Sequence, residues 1–219
     1  MLIAFNKPYG VVCQFSPCGD KRTLKQFIDV PGVYPAGRLD TDSEGLLLLT
    51  DDGRLQARIT TPRNHVNKVY WAEVEGEVAA EHLDRLKSPL DLGDFVAEPA
   101  SSARVLSSPP VWERTPPVRF RATIPTTWIE LTIAEGKNRQ VRRMTAKVGL
   151  PTLRLVRMHI GGVSLQALGI APGKSVELAE TVVFPLQNQK KAQKSEKTQK
   201  LNDLSKKKRI NCFNLLSTS

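Results

Sequence analysis

Four consecutive leucines, residues 46–49, stand between Glu44-Gly45 and Thr50-Asp51-Asp52-Gly53. An apolar run this short, closed by acids and a glycine turn, reads as a buried strand. Whatever the chain folds into has to build a sheet around it. The surrounding stretch, "GRLDTDSEGLLLLTDD" at residues 37–52, is also dense in carboxylates. These acids could hold a metal ion, end a helix, or meet a ligand.

Calcium is the first reading to test. Counting from Asp40, side-chain oxygens fall at the first, third and fifth places, Gly45 at the sixth and Asp51 at the twelfth, close to an EF-hand loop. The twelfth place calls for a longer Glu and the fifth for a shorter acid. The preceding "VPGVYPAG" cannot form the flanking helix, because its prolines and glycines break it. Asp42, Ser43 and Asp51 suit a cap or a turn. For Asp40, beside Arg38, a turn role and a ligand-facing role are equally natural, and spacing alone does not choose between them.

The rest of the chain supplies the sheet. Strands are expected at 2–5 and 10–15, and at "KVYWAEVEGE", where Tyr70, Ala72 and Val74 alternate with Val69 and Trp71. In "TTWIELTIAEG", Ile129, Leu131 and Ile133 oppose Trp128, Glu130 and Thr132. "TLRLVRMHI", "VSL" and "SVELA" add more strands, with a hairpin at Gly161-Gly162. Helices are expected at "KRTLKQFIDV", from Arg54, at "AAEHLDRLKS", and over 138–149, where Val141, Met144 and Val148 form an apolar face. Residues 88–117 read as short strands and loops. The predicted class is α+β, a mixed and mostly antiparallel sheet with flanking helices and a cleft across it.

Net charge is +10, but residues 187–219 hold nine Lys and Arg against two acids, leaving only +3 for the rest. The expected organisation is therefore one domain over 1–186 and a basic, disordered tail over 187–219. That tail suits sequence-blind attraction to phosphates, or no task beyond solvation. The start has a Lys within its apolar segment and does not read as a signal peptide, and no stretch reads as a membrane span. Cys13, Cys18 and Cys212 make no zinc or disulfide pattern. The plain inference is a reduced, cytoplasmic protein. His65, His82 and His159 match no triad or metal spacing and read as structural or exposed. Arg139, Arg142 and Arg143 cluster beside the apolar face of the 138–149 helix. They read as a site for phosphate or a buried carboxylate in preference to a solvated basic face.

"PAGRLDTDSEGLLLLT", "KVYWAEVEG" and "EGKNRQVRRMTAKVG" followed by "LRLVRMHIGGVSL" occur in this order. They resemble the sequence blocks of a family of bacterial ribosomal RNA pseudouridine synthases. In that family the A type works on the small ribosomal subunit, while the B, E and F types work on the large one. The match runs from about residue 2 to 183, and "IAFNKPYGVVCQFSP" and "PTTWIELTIAEGKNRQVRRM" look closest to the E type. The resemblance implies the pseudouridine-synthase fold; many members of the family carry an N-terminal S4-type RNA-binding domain, for which no room is expected before Leu2. It also implies isomerisation of a uridine in ribosomal RNA, 23S in the large subunit, free or in a precursor particle, without metal or cofactor. A monomer is expected.

By the family pattern Asp40 is the catalytic carboxylate. A carboxylate in a partly desolvated pocket needs a cation close by. Arg142 is the first candidate for that ion pair and Arg139 the second. Tyr70 would stack on the flipped base and handle a proton, and Leu155 would pack on its other side. Leu39 joins the substrate-binding set, and Arg38, Lys68 and Arg143 read as phosphate contacts. A non-catalytic RNA-binding or assembly factor is the rival, but it would have no need of Asp40.

Overall fold

The computed structural model describes residues 1–119 and 123–184; the whole basic tail, with Cys212, lies outside them. Residues 1–180 form one unit, and residues 181–219 a second that is almost entirely outside the described part.

In chain order the first unit contains β1 (Leu2–Lys7), β2 (Tyr34–Pro35), β3 (Glu44–Thr50), α1 (Gly53–Thr60), β4 (Lys68–Glu75) and α2 (Ala80–Leu86). There follow β5 (Leu90–Asp91), β6 (Val96–Ala97), β7 (Ser102–Leu106), β8 (Thr126–Ile133), α3 (Gln140–Lys147), β9 (Thr152–Ile160), β10 (Val163–Ser164), α4 (Leu165–Leu168) and β11 (Ser175–Leu178). Nine strands make one sheet in the order β11-β1-β3-β9-β4-β8-β7, with β2 joined to β3 and β10 to β9; β5 and β6 pair separately. Every pairing in the large sheet is antiparallel except β3 with β9. The class is thus α+β, as the strand count and hairpin spacing suggest. Among the described residues no helix is long and apolar enough to cross a membrane.

The leucine run lies in β3, all seven of whose residues are buried. Leu47 and Leu49 pack with Ile3 and Phe5 of β1, and with Val11, Leu24, Ile28 and Val33 from the connection that follows β1. A second core covers one face of the other half of the sheet. Tyr70, Ala72 and Val74 of β4, Ile129, Leu131 and Ile133 of β8, and Leu155 of β9 meet Val141, Met144 and Val148 of α3 and its C-terminus.

The two halves meet where β3 touches β9 over only Glu44↔Val156 and Gly45↔Arg157. Gly45 has φ +98°, and a Cβ there would lie 2.4 Å from the Arg157 carbonyl oxygen and 2.9 Å from its nitrogen. Only glycine lets the two backbones come this close.

Three local expectations change. Residues 10–15 form no named strand; Val12 makes an isolated bridge to Thr23. The cause is underneath them. The buried Lys7 ammonium donates to the carbonyls of Pro8 and Val11, at 3.0 and 2.8 Å, and bends the chain around itself. "KRTLKQFIDV" shortens to a 3-10 turn at Leu24–Gln26, with Leu24 and Ile28 drawn into the first core and Pro31-Gly32 following. "VSL" gives two strand residues and then α4, because Ser164 Oγ accepts from the Ala167 N–H and starts a helix.

Candidate active site

The acids of residues 37–52 are pulled apart by the strand they flank. At roughly 3.3 Å per residue, β3 carries Asp51 to the end opposite Asp40. There Asp51 meets the Met1 ammonium at 2.7 Å, while Asp52 accepts from the Arg54 N–H at 2.7 Å and caps α1. Glu44, 1% exposed, takes two bonds from Arg154 at 2.8 and 3.0 Å and one from the Trp112 indole at 2.8 Å. These oxygens do not converge on a point, as those of a calcium loop do.

Residues 36–43 form the loop that enters β3. Leu39 anchors it: its side chain enters the second core and its N–H points at Cys13 Sγ, 3.4 Å away. The adjacent Asp40 is half-exposed, and a Ser43 N–H to Asp40 carbonyl bond of 3.0 Å closes the turn behind it. Arg38 is exposed at the mouth of the loop.

The arginines do not divide their work as expected. α3 starts at Gln140, two residues later than the spacing suggests, and Arg139 is its N-cap with a left-handed backbone, φ 50°. Arg139 therefore leaves the helix face. It grips both oxygens of Asp42 at 3.1 and 3.0 Å, and its Nη1 lies 3.6 Å from Asp40 Oδ2. Arg142, on the first turn and mostly buried, donates to the Asp42 carbonyl at 2.8 Å and the Thr152 carbonyl at 3.1 Å. Its Nε sits 3.5 Å from the Asp42 carboxylate, an electrostatic contact without hydrogen-bond geometry.

The close ion pair of Asp40 is thus with Arg139, the second candidate. Arg142 clamps the loop from beneath and feels the charge of Asp40 from farther off. Burial pulls the Arg142 guanidinium down, partly offset by Asp42. Burial alone would raise Asp42, but the bonds from Arg139 and the charge of Arg142 hold it below the usual carboxylate value. Arg143 points elsewhere, to Asp94 and the Leu92 carbonyl, stacked over Phe95 at 4.7 Å.

Asp40 opens onto a cavity of about 430 Å³. Its walls include Tyr70 and Lys68 of β4, Ile133 of β8, Leu155 and Arg157 of β9, and Val141 of α3. Arg38, Leu39 and Arg139 line it too, whereas Arg142, Arg143, His65, His82 and His159 are not among its walls. Glu135 fixes the turn between β8 and α3 by accepting from the Glu98 N–H at 2.9 Å and the Gln140 amide at 2.8 Å. Arg157 escaped the sequence reading. It is 3% exposed and donates to the Leu46 carbonyl at 2.8 Å and, more loosely, to that of Arg38 at 3.4 Å. One guanidinium therefore ties both ends of the Asp40 loop. The signal was present: Arg157 lies two residues after Leu155 on a strand and so shares its face.

A carboxylate paired with Arg139, beside a cavity lined by both apolar and cationic side chains, suits chemistry on a nucleoside. Comparison with known proteins agrees. The model of the RNA pseudouridylate synthase family matches residues 1–147. The chain is 51% identical over 177 residues to the ribosomal large subunit pseudouridine synthase E of Vibrio vulnificus (strain CMCP6), covering 81% of this chain and 75% of that one. It is 56% identical over 170 residues to the protein of the same name from Xanthomonas axonopodis pv. citri (strain 306), covering 77% and 90%. A crystal structure of a pseudouridylate synthase superposes with TM-score 0.69 at 30% identity, covering 83% of this chain and 71% of the other. By family model, sequence identity and fold alike, the chain belongs to the RNA pseudouridylate synthase family.

Proposed function

We propose that this protein isomerises a uridine of ribosomal RNA to pseudouridine, with large-subunit 23S RNA as substrate and Asp40 as the catalytic carboxylate. The observation that carries this reading is the position of Asp40. It lines one cavity with Tyr70 and Leu155, and its Oδ2 lies 3.6 Å from Arg139 Nη1. The relatives named for large-subunit modification support the choice of RNA.

The target uridine leaves its stack and enters the cavity, at a cost of a few kcal/mol that is least in irregular RNA. Tyr70 and Leu155 cover its two faces, and Leu39 fixes the loop against them. Asp40 acts on the ribose as nucleophile at C1′ or base at C2′. Arg139 pairs with it, and Arg142 and Asp42 hold the loop in place. Arg38, exposed at the rim, takes a phosphate of the RNA backbone. Arg143, already bound to Asp94, is a weaker candidate for that task. The basic segment after residue 186 adds sequence-independent attraction.

The test is release of tritium from C5-labelled uridine in a ribosomal RNA transcript. Wild type should release it with chelator present, and Asp40→Asn should bind RNA normally and release none. Turnover by Asp40→Asn would overturn the assignment.

A further inference from the structure

The cavity wall carries three cations that make no ion pair with a carboxylate among the described residues: Arg38, exposed at the rim, and the more enclosed Lys68 and Arg157. An ammonium has three N–H donors. Lys68 directs two of them to the carbonyls of Val66 and Ala134, at 2.9 and 3.3 Å. Arg157 uses Nε on Leu46 of β3 and Nη1 on the Asp40 loop, while its buried Nη2 has no acceptor among the described residues. Burial, reinforced by the charge of Arg157, pushes the Lys68 ammonium down to about 8. Holding positive charge in such a wall is costly unless something negative forms beside it.

The position of Lys68 says what that is. It lies two residues before Tyr70 on β4, paired with Ile133 on one side and Ile160 on the other. It therefore belongs to the wall around the base, whereas Arg38 sits exposed at the rim.

We propose that Lys68, backed by Arg157, stabilises the uracil anion released when the glycosidic bond breaks, through a hydrogen bond to a ring carbonyl oxygen. The inference rests on the reading of this cavity as a pseudouridine synthase site. When the N1–C1′ bond breaks, its electron pair stays on uracil and spreads over N1, O2 and O4. Asp40 bonds to C1′, or takes the C2′ proton. The base turns, C5 bonds to C1′, and Asp40 departs or returns its proton. The C5 proton leaves to solvent and N1 takes one up, so atoms and electrons balance as an isomerisation. Uracil is neutral before cleavage and anionic after it. A cation beside its carbonyl thus favours the transition state over the bound substrate, whereas a phosphate contact would favour both equally.

The test compares wild type, Lys68→Met and Lys68→Arg in single turnover, on transcripts carrying uridine or 5-fluorouridine at the target, followed for both bases by loss of the target nucleoside on digestion, because 5-fluorouridine has no C5 hydrogen to release. RNA affinity is measured across salt concentrations alongside. Lys68→Met should slow the uridine reaction about 100-fold or more, with affinity and salt dependence unchanged. The loss should shrink to less than about 10-fold with 5-fluorouridine, because fluorine makes the base a better leaving anion. Lys68→Arg should recover most of the rate. It should also remove a decline in the wild-type rate as pH rises through about 8, where Lys68 loses its proton. Arg157, Arg38, Asp40, Glu135, Lys137 and Arg139 face the same cavity and stay in both proteins.

Lys68→Gln replaces Lys68→Met should the latter fail to fold. Weaker binding with a shallower salt dependence at an unchanged single-turnover rate would make Lys68 a phosphate contact and overturn the proposal. So would equal losses with both bases. A wild type that releases no tritium would instead remove the function on which the inference stands.

Discussion

The two ends of β3 use the same residue types for opposite purposes. At its start, Asp40, Asp42 and Glu44 are held by Arg139, Arg142 and Arg154, all from the distant second half of the chain. At its end, Asp51 and Asp52 have near or exposed partners, the Met1 ammonium and the first turn of α1. Solvent separates them fully only at Glu44, which is 1% exposed; the Asp40 and Asp42 side chains keep 36% and 35% against 48% for Asp51. An acid in water contributes little through its charge, since screening and side-chain entropy cancel most of the attraction. An acid out of water commits the fold to supplying a cation, and that cation can then be used for chemistry.

Substitution of each acid in turn should break the comparison in a graded way. Asp40→Asn has the largest effect, loss of turnover below detection with the fold intact, read by tritium release and thermal melting. Glu44→Ala comes next and acts on stability. It leaves the Arg154 guanidinium buried without its partner and the Trp112 indole without its acceptor, at about 3–5 kcal/mol in urea unfolding. Replacing Glu44 and Arg154 together by apolar residues should recover most of that loss. If it does not, the pair is more than a compensated burial.

Asp42→Asn is the intermediate case. It keeps the shape but releases the two-pronged grip of Arg139, so single turnover should fall roughly 10- to 100-fold as Asp40 loses its placement. Its effect on stability has a predictable sign. The Asp42 carboxyl is held below its ordinary 3.8, so its stabilising contribution is present above that pH and is lost as pH falls through the lower folded value. The difference between wild type and Asp42→Asn in urea midpoint should therefore narrow in acid. Asp52→Ala should cost about 0.5–2 kcal/mol through the lost cap and leave the rate unchanged. Asp51→Asn, the smallest change, should leave both melting temperature and rate where they were.

Local periodicity made most of the sheet legible. β4 and β8 alternate cleanly, and the leucine run could only be buried. What the sequence could not show was the partner of each strand. The parallel contact of β3 with β9 is two residues long and depends on one glycine, and no pattern within either strand announces it. Asp40 became legible only through family resemblance, since its spacing fits a turn equally well. The exchange of roles between Arg139 and Arg142 was hidden for a geometric reason. A residue assigned to a helix face is expected beside its neighbours three and four positions on, and one left-handed residue at the N-cap removes Arg139 from that set. The Glu44–Arg154 pair spans 110 positions and leaves no local trace.

Those long spans bear on how the protein is made. Arg139 reaches Asp42 across 97 positions, Arg142 reaches its carbonyl across 100, and Arg157 reaches Leu46 across 111. Chains emerge from their N-terminus, and contacts so far apart in sequence form late. During synthesis Asp40 therefore exists for a long interval as an ordinary surface carboxylate on an unanchored loop. Only when β9 has been added do the clamps and the pocket wall close around Asp40, so an unfinished chain exposes this carboxylate without the cavity it lines in the finished fold.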